Sequence, residues 1–123
     1  MYTLDTNAII YFLQGDVSAV SVLQPIFYGD DALYISTITE LELFSFSKLT
    51  SLDVMRMEGF LLTVVILALD SRIARTAGAL RRVYRLETPD SIIAATALLT
   101  GTTLLTRNVK DFTGVSSLNI RPI

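Results

Sequence analysis

The chain of 123 residues contains no cysteine, no histidine and no tryptophan. Without cysteine it can form neither disulfides nor thiolate metal sites. Without histidine it lacks the usual general base and the commonest metal ligand. Any hydrolytic chemistry must therefore depend on carboxylates and on metal-bound water. The lack of cysteine also agrees with a reducing cytoplasm, where we expect the protein to reside.

Long hydrophobic runs are missing as well. The longest apolar stretch covers residues 60–69 and is interrupted only by Thr63. It is shorter than the roughly 20 residues needed to span a bilayer, so it predicts a buried strand at 63–69. Because strand-like residues follow Met1 directly, we expect neither a signal peptide nor contact with a membrane. With 51% apolar residues, residues 1–123 are expected to form one domain around one core.

The charge is nearly balanced overall but uneven along the chain. The net charge is −2, yet residues 1–60 carry eight acids and two bases, whereas residues 61–123 carry four acids and eight bases. Five of the ten basic residues lie within 72–85. A weakly acidic protein is not expected to bind nucleic acid through bulk charge. The local basic cluster could still contact phosphates, or it could simply be a solvated helix face.

Strand and helix patterns alternate along the whole chain. Strands are predicted at 2–5, 33–36, 63–69, 103–106 and 118–121, helices at about 8–14, 17–27, 38–48, 51–60, 71–84 and 88–101, and a loop at 107–114. The last helix has the clearest start, with Thr88 as N-cap, Pro89 in the first position and Asp90 in the second. Five short strands separated by helices predict an α/β fold, with a mostly parallel sheet and helices on both faces.

Four acidic residues lie where strands end or where the next helix begins. They are Asp5, Glu42, Asp90 and Asp111. In parallel α/β sheets this edge binds ligands. Carboxylates about 4 Å apart repel by roughly 4 kcal/mol per pair at an effective dielectric of about 20, unless a hard cation such as Mg²⁺ or Mn²⁺ joins them. Helix capping, dipole balance or turn formation could explain each acid alone, so the combination is the informative feature.

The stretches that contain these acids resemble the PIN domain family, and within it the short VapC-type toxins. The matching stretches are LDTNAIIYFL, ISTITELELF, PDSIIAATAL and LLTRNVKDF, and together they extend over essentially the whole chain. The resemblance implies an α/β/α sandwich with a five-stranded parallel sheet. It also implies a metal-dependent endoribonuclease that leaves 5′-phosphate and 3′-hydroxyl ends.

On the same resemblance the four acids become the catalytic and metal-binding residues. Asp5 and Asp90 would hold one Mg²⁺ or Mn²⁺ ion. Glu42 and Asp111 would complete the site or hold a second ion, and one of the two would orient the attacking water. We also expect Asn7 and Thr106 to hydrogen-bond the carboxylates, although capping and turn formation would explain them equally well. Candidates for binding RNA phosphates are Arg75, Arg81, Arg82, Arg85 and Arg107.

The resemblance further implies a homodimer that is inhibited by an antitoxin segment in its cleft. Phe44, Phe46 and Leu49 could form an apolar patch for either partner, or they could lie in the core. Two features depart from the family pattern. Asn108 stands where relatives often have an acid, which leaves Asp111 as the fourth carboxylate. The stretch 45–47 stands where many relatives have a small residue, often glycine, which predicts a different groove shape.

Other functions agree with parts of this pattern. A non-catalytic PIN-fold module that binds RNA or protein would not need the four acids, yet all four are present. A housekeeping RNA-processing nuclease or a DNA-directed nuclease would use the same site. A phosphotransfer receiver also gathers acids at a parallel-sheet edge, but it needs paired early acids and a late lysine, an order that this chain lacks.

Overall fold

A computed structural model describes all 123 residues. Strands and helices alternate along the chain, in agreement with the predicted class. The elements in chain order are β1 (Tyr2–Leu4), α1 (Thr6–Leu13), α2 (Val17–Phe27), β2 (Leu33–Ser36), α3 (Thr37–Leu43), α4 (Ser51–Leu61), β3 (Val65–Leu67), α5 (Ser71–Tyr84), α6 (Thr88–Thr100), β4 (Thr103–Thr106), α7 (Val109–Phe112) and β5 (Ile120–Pro122).

The five strands form one fully parallel sheet in the order β3-β2-β1-β4-β5. The predicted five-stranded parallel sheet is therefore confirmed. The first strand of the chain lies at the centre, paired with β2 on one side and β4 on the other. Because parallel strands end at the same edge, the residues that follow β1, β2 and β4 are brought together there.

Helices pack on both faces of this sheet, each over its own apolar cluster. One cluster joins α5, α6 and α7 around Leu104 and Phe112, and the other joins α1, α2, α3 and α4 around Leu4 and Leu105. Leu104 and Leu105 belong to different clusters because successive strand residues point to opposite faces. Both are fully buried, so the strand that carries them is covered on its two sides, as the sandwich requires.

The third strand differs from the prediction. It spans only Val65–Leu67 and lies at the end of the sheet, where Val65 is 44% exposed and Ile66 is 37% exposed. The apolar run predicted a buried strand, but an edge strand leaves one side open however apolar it is.

None of the seven helices is by itself long and apolar enough to cross a membrane. Only α1 and α2 taken together have that length and composition, and the two helices meet at an angle of 100°.

Other elements also differ from the prediction, among them α1, which begins at Thr6 rather than at residue 8, and β5, which spans Ile120–Pro122 rather than 118–121. The N-cap of α6 is Glu87, so Thr88 is its first residue and Asp90 its third. The region predicted as a loop at 107–114 contains the short helix α7. The third helix ends at Leu43 rather than at residue 48, because the serine and phenylalanine residues that follow have low helix propensity. The predicted bounds of α2 and α5 are confirmed, and Pro25 is accommodated in the last turn of α2.

Candidate active site

Asp5 connects the central strand β1 to α1 and is only 4% exposed. Its backbone N–H donates to the Leu105 carbonyl at 3.1 Å, and its own carbonyl accepts from Ala8 at 3.1 Å. Asp5 is thus the N-cap of α1 through its backbone, but its side chain makes no capping hydrogen bond. Burying a carboxylate is costly unless it has partners. Capping therefore does not explain this side chain.

Thr106, at the end of β4, is the hydrogen-bond partner of that carboxylate. Its Oγ1 donates to Oδ2 of Asp5 at 2.7 Å and accepts the backbone N–H of Asn108 at 3.0 Å. One hydroxyl therefore links the central acid to the turn that leads into α7. The hydrogen bond expected from Thr106 is present. Asn7, for which the same role was expected, is exposed and its side chain makes no hydrogen bond.

Glu42 is positioned by Thr6 rather than by Asn7. The Thr6 hydroxyl donates to Oε1 of Glu42 at 2.7 Å and lies 3.1 Å from Oγ1 of Thr39. The helix that carries Glu42 begins where β2 ends, because Ser36 accepts the N–H of Ile38 and caps it. A threonine at the start of α1 thus fixes an acid on α3. Sequence reasoning missed this contact, although Thr6 directly follows Asp5.

Asp90 is the third residue of α6 and is half-buried. The N-terminal end of a helix normally stabilises a carboxylate and lowers its pKa. Here the pKa of Asp90 is instead raised to about 6, first by burial and then by the negative charges of Asp5, Asp111, Glu87 and Glu42. The surrounding acids and the loss of solvent thus outweigh the helix dipole. Dipole balance alone does not account for this residue.

The pKa of Asp5 is raised in the same way. Burial is the main cause, hydrogen bonds from Thr106 and Thr6 oppose it, and the charges of Glu42 and Asp111 add to it. The four predicted acids are therefore electrostatic neighbours at one edge of the sheet. Asp111 is exposed on α7, and its charge raises the pKa values of Asp5 and Asp90.

The four acids do not surround a single point. As the side chains lie, no three of the acidic residues are close enough to hold a single ion. Uncompensated carboxylates favour separation, and a divalent cation would reverse the sign of that interaction. The available donors are all oxygens, and several are anionic, which is the ligand set that Mg²⁺ and Mn²⁺ prefer. The residues thus fit a hard divalent ion.

Arg107 makes internal contacts with every part of its guanidinium group. Its Nη1 and Nη2 donate to Asp16 at 3.2 and 2.6 Å, its Nε donates to the carbonyl of Ile123 at 3.1 Å, and its Cζ lies 3.9 Å from the ring centroid of Tyr11. The pair lowers the pKa of Asp16 to about 2 and raises that of Arg107. These contacts join the end of β4 to α1, α2 and the last residue, so Arg107 has a structural role, and its binding of RNA phosphate stays a prediction.

Replacing Arg107 is accordingly expected to lower the melting temperature. Both Arg107→Ala and Arg107→Lys lose the planar guanidinium group that donates two hydrogen bonds to the Asp16 carboxylate. The lysine variant keeps the positive charge, so it tests whether charge alone is sufficient. Because the pKa of Asp16 is lowered, the difference from wild type should be complete above about pH 4 and should shrink as the pH falls toward 2. Thermal denaturation at pH 7 and pH 3 measures this. An unchanged melting temperature together with weaker RNA binding would support the original expectation instead.

The predicted apolar patch is largely on the surface. Phe44 is 40% exposed and Phe46 is 52% exposed, whereas Leu49 is half-buried. Phe46 and Leu49 line a cavity of about 480 Å³ between α1 and α4. Of the two alternatives from the sequence, burial in the core is therefore wrong for the two phenylalanines.

The fold and the acid site can now be compared with known proteins. The PIN domain model matches residues 2–116, so the chain belongs to the PIN domain family. It is 30% identical over 117 residues to Ribonuclease VapC19 of Mycobacterium tuberculosis, which covers 91% of this chain and 92% of that protein. The resemblance seen in the sequence is thereby confirmed.

Solved structures show the same fold. A toxin–antitoxin complex from Klebsiella pneumoniae contains a chain with a TM-score of 0.82 and 34% identity, covering 96% of this chain and 95% of that chain. VapBC2 from Rickettsia felis, bound to a DNA fragment from its promoter, has a TM-score of 0.85 at 24% identity, covering 99% and 98%. At that identity the second match supports the fold alone.

Proposed function

We propose that this protein is a metal-dependent endoribonuclease and the toxin of a VapBC-type toxin–antitoxin pair. The observation that carries the proposal is that Asp5, Glu42 and Asp111, from three other elements, lie close enough to Asp90 for their charges to add to the effect of burial in raising its pKa to about 6. A chain that binds no metal would gain nothing from this repulsion. Similarity to Ribonuclease VapC19 over nearly the whole chain supports the same activity and RNA as the substrate.

Asp5 and Asp90 are the residues that would hold Mg²⁺ or Mn²⁺, with Glu42 and Asp111 beside them. When bound, such an ion polarises a phosphoryl oxygen and lowers the pKa of a coordinated water. Thr106 fixes the orientation of Asp5 through Oδ2. Thr6 engages Oε1 of Glu42, which leaves Oε2 to orient a water for in-line attack on phosphorus and to accept its proton. The bond between phosphorus and the 3′ oxygen breaks, and that oxygen leaves with a proton from solvent. Since the chain has no histidine, these carboxylates are its available bases.

The proposed partners are RNA, an antitoxin and a second copy of the chain. The matched chain from Klebsiella pneumoniae comes from a toxin–antitoxin complex. Six of the eleven residues that line the cavity are apolar, Phe46 and Leu49 among them, which suits an apolar segment of an antitoxin. A homodimer is expected to use other exposed apolar residues, since a surface filled by an inhibitor cannot also serve the dimer.

Cleavage of total RNA by the purified chain tests this proposal. We expect fragments with 5′-phosphate ends in Mg²⁺ or Mn²⁺, no cleavage in EDTA, and recovery when Mn²⁺ is added back. Asp5→Asn is the control for a contaminating nuclease, because it should remove the activity and leave the fold intact. Cleavage that persists in EDTA would contradict the proposal. RNA binding without cleavage would favour a non-catalytic PIN module, and cleavage of single-stranded DNA alone would favour a DNA-directed nuclease.

A further inference from the structure

Three arginines surround a depression at the C-terminal end of α5. The depression has a volume of about 470 Å³ and is lined by Gly78, Arg81, Arg82, Arg85 and Leu86. None of the three guanidinium groups has a carboxylate partner, because the only two ion pairs in the chain are elsewhere. Three like charges around one concave surface repel one another unless an anion lies between them.

Arg81 is anchored so that its charge stays at this place. Its Nε donates to the carbonyl of Leu86 at 3.0 Å, while its two terminal nitrogens make no hydrogen bond. One edge of the guanidinium group thus fixes the α5–α6 connection. The other edge remains available to an acceptor in the solvent. A side chain held by one edge loses less freedom when it binds a ligand through the other.

Arg85 has an unfavourable backbone conformation. It ends α5 with φ 58° and ψ 34°, and it is the only residue other than glycine with a positive φ. Helix ends of this type prefer glycine or asparagine, which adopt the left-handed region readily. Cations near a helix C-terminus are common because they balance the dipole, and Arg81 and Arg82 already serve that purpose. Dipole balance does not explain an arginine in this conformation.

The depression lies close to the acid site along the chain. Asp90 follows Arg85 by five residues, so their Cα atoms are at most about 18 Å apart. A few nucleotides of single-stranded RNA span such a distance. At the floor of the depression, a Cβ added to Gly78 would meet nothing within 4 Å, so the surface is open to an approaching group.

We propose that Arg81, Arg82 and Arg85 form a subsite for a phosphate of the RNA strand, within a few nucleotides of the phosphate that is cleaved. Arginine is the side chain best suited to this role, since its planar fork pairs with two phosphate oxygens. The subsite rests on the proposed ribonuclease function and adds to it the place where the strand is held. It gives a role to three of the five arginines predicted to contact RNA. Arg107 is not part of the subsite, because its guanidinium group contacts Asp16, Ile123 and Tyr11.

The test uses a double variant, Arg82→Gln with Arg85→Asn, and a matched control, Arg72→Gln. Asparagine suits the left-handed conformation, so the helix end should remain intact, and Arg81 is kept because it holds the α5–α6 connection. The control removes one charge from the opposite end of the same helix, about 14 Å along its axis from Arg81. Thermal denaturation confirms that both proteins fold.

Binding is measured by fluorescence anisotropy with a labelled random-sequence RNA of roughly 20 nucleotides, in EDTA and over a range of salt. We expect the double variant to bind RNA about tenfold more weakly. The slope of log K against log salt concentration should become less steep by roughly 1.4, since each lost phosphate contact on a single strand contributes about 0.7. The control should stay within about twofold of wild type. In Mg²⁺, the KM for RNA cleavage should rise while kcat stays near wild type.

Two failures can be told apart. If the wild type cleaves RNA and the double variant binds and cleaves equally well, the subsite is wrong and the ribonuclease function stands. Weakening of about threefold by Arg72→Gln would also overturn the subsite, because the loss per charge removed would then equal that of the double variant and diffuse charge would explain binding. If the wild type neither binds nor cleaves RNA, the proposed function fails, and the subsite fails with it.

Discussion

Replacing Asp90 with asparagine is expected to abolish RNA cleavage and at the same time to raise the melting temperature of the metal-free protein. Cleavage should fall by about a thousandfold or more, equivalent to about 4 kcal/mol of barrier, because the variant loses an anionic ligand for the ion. The gain in stability has a separate origin, which is the cost of burying the charged Asp90 carboxylate together with its repulsion by the other acids.

The stability effect follows from the pKa of Asp90. It is about 6 in the folded chain and near 3.8 when unperturbed. Between these values the folded state keeps a proton that the unfolded state has lost, so stability falls as the pH rises from about 4 to 6 and stays lower above. For this half-buried group we expect a cost of about 1–2 kcal/mol at neutral pH, after allowance for solvent screening. Asparagine removes that cost, which corresponds to roughly 3–8 °C.

Thermal denaturation in EDTA at pH 4 and at pH 7.5 separates this effect from general stabilisation. Asp90→Asn should melt above wild type at pH 7.5 and close to it at pH 4. The matched control is Asp30→Asn, which makes the same change at an exposed turn and should alter neither quantity. A variant that is inactive and also less stable at pH 7.5 would show that Asp90 supports the fold, and it would remove the main argument for a metal site.

Part of the acid site could be predicted from the sequence. Acids at the ends of strands are visible in any α/β pattern, because the edge where they meet is set by strand direction. For that reason Asp5, Glu42 and Asp90 could be assigned to one edge of the sheet before their contacts were known. The raised pKa of Asp90 depends on burial and on residues far away in the chain. Neither can be read from the local sequence.

Other features could not be predicted because the local sequence agreed equally well with two different structures. Thr6 and Asn7 are adjacent polar residues, and only the rotation of α1 decides that Thr6 reaches Glu42 while Asn7 faces solvent. The apolar stretch of β3 has the composition of a central strand, but the order of strands places it at the sheet edge. Arg107 follows Thr106 and looked free to bind phosphate. Its partner Asp16 lies 91 residues away, a separation that a local pattern does not reveal.

Replacing Thr106 with valine is expected to reduce cleavage by about 10–100-fold, the usual effect of removing a group that orients a metal ligand. Valine has nearly the same shape, so the fully buried site stays packed while the hydroxyl is lost. Asp5 then loses the strongest hydrogen bond that opposes the rise of its pKa. Its pKa should therefore rise further, and more alkaline solutions should be needed to ionise it.

The pH dependence of cleavage distinguishes this role from a structural one. The acidic limb of the profile should move to higher pH in Thr106→Val, whereas Thr106→Ser keeps the hydroxyl and should resemble wild type. If Thr106→Val lowers activity equally at all pH values, its effect comes from the turn formed with Asn108. Thr106 would then act on the path of the chain rather than on the charge of Asp5.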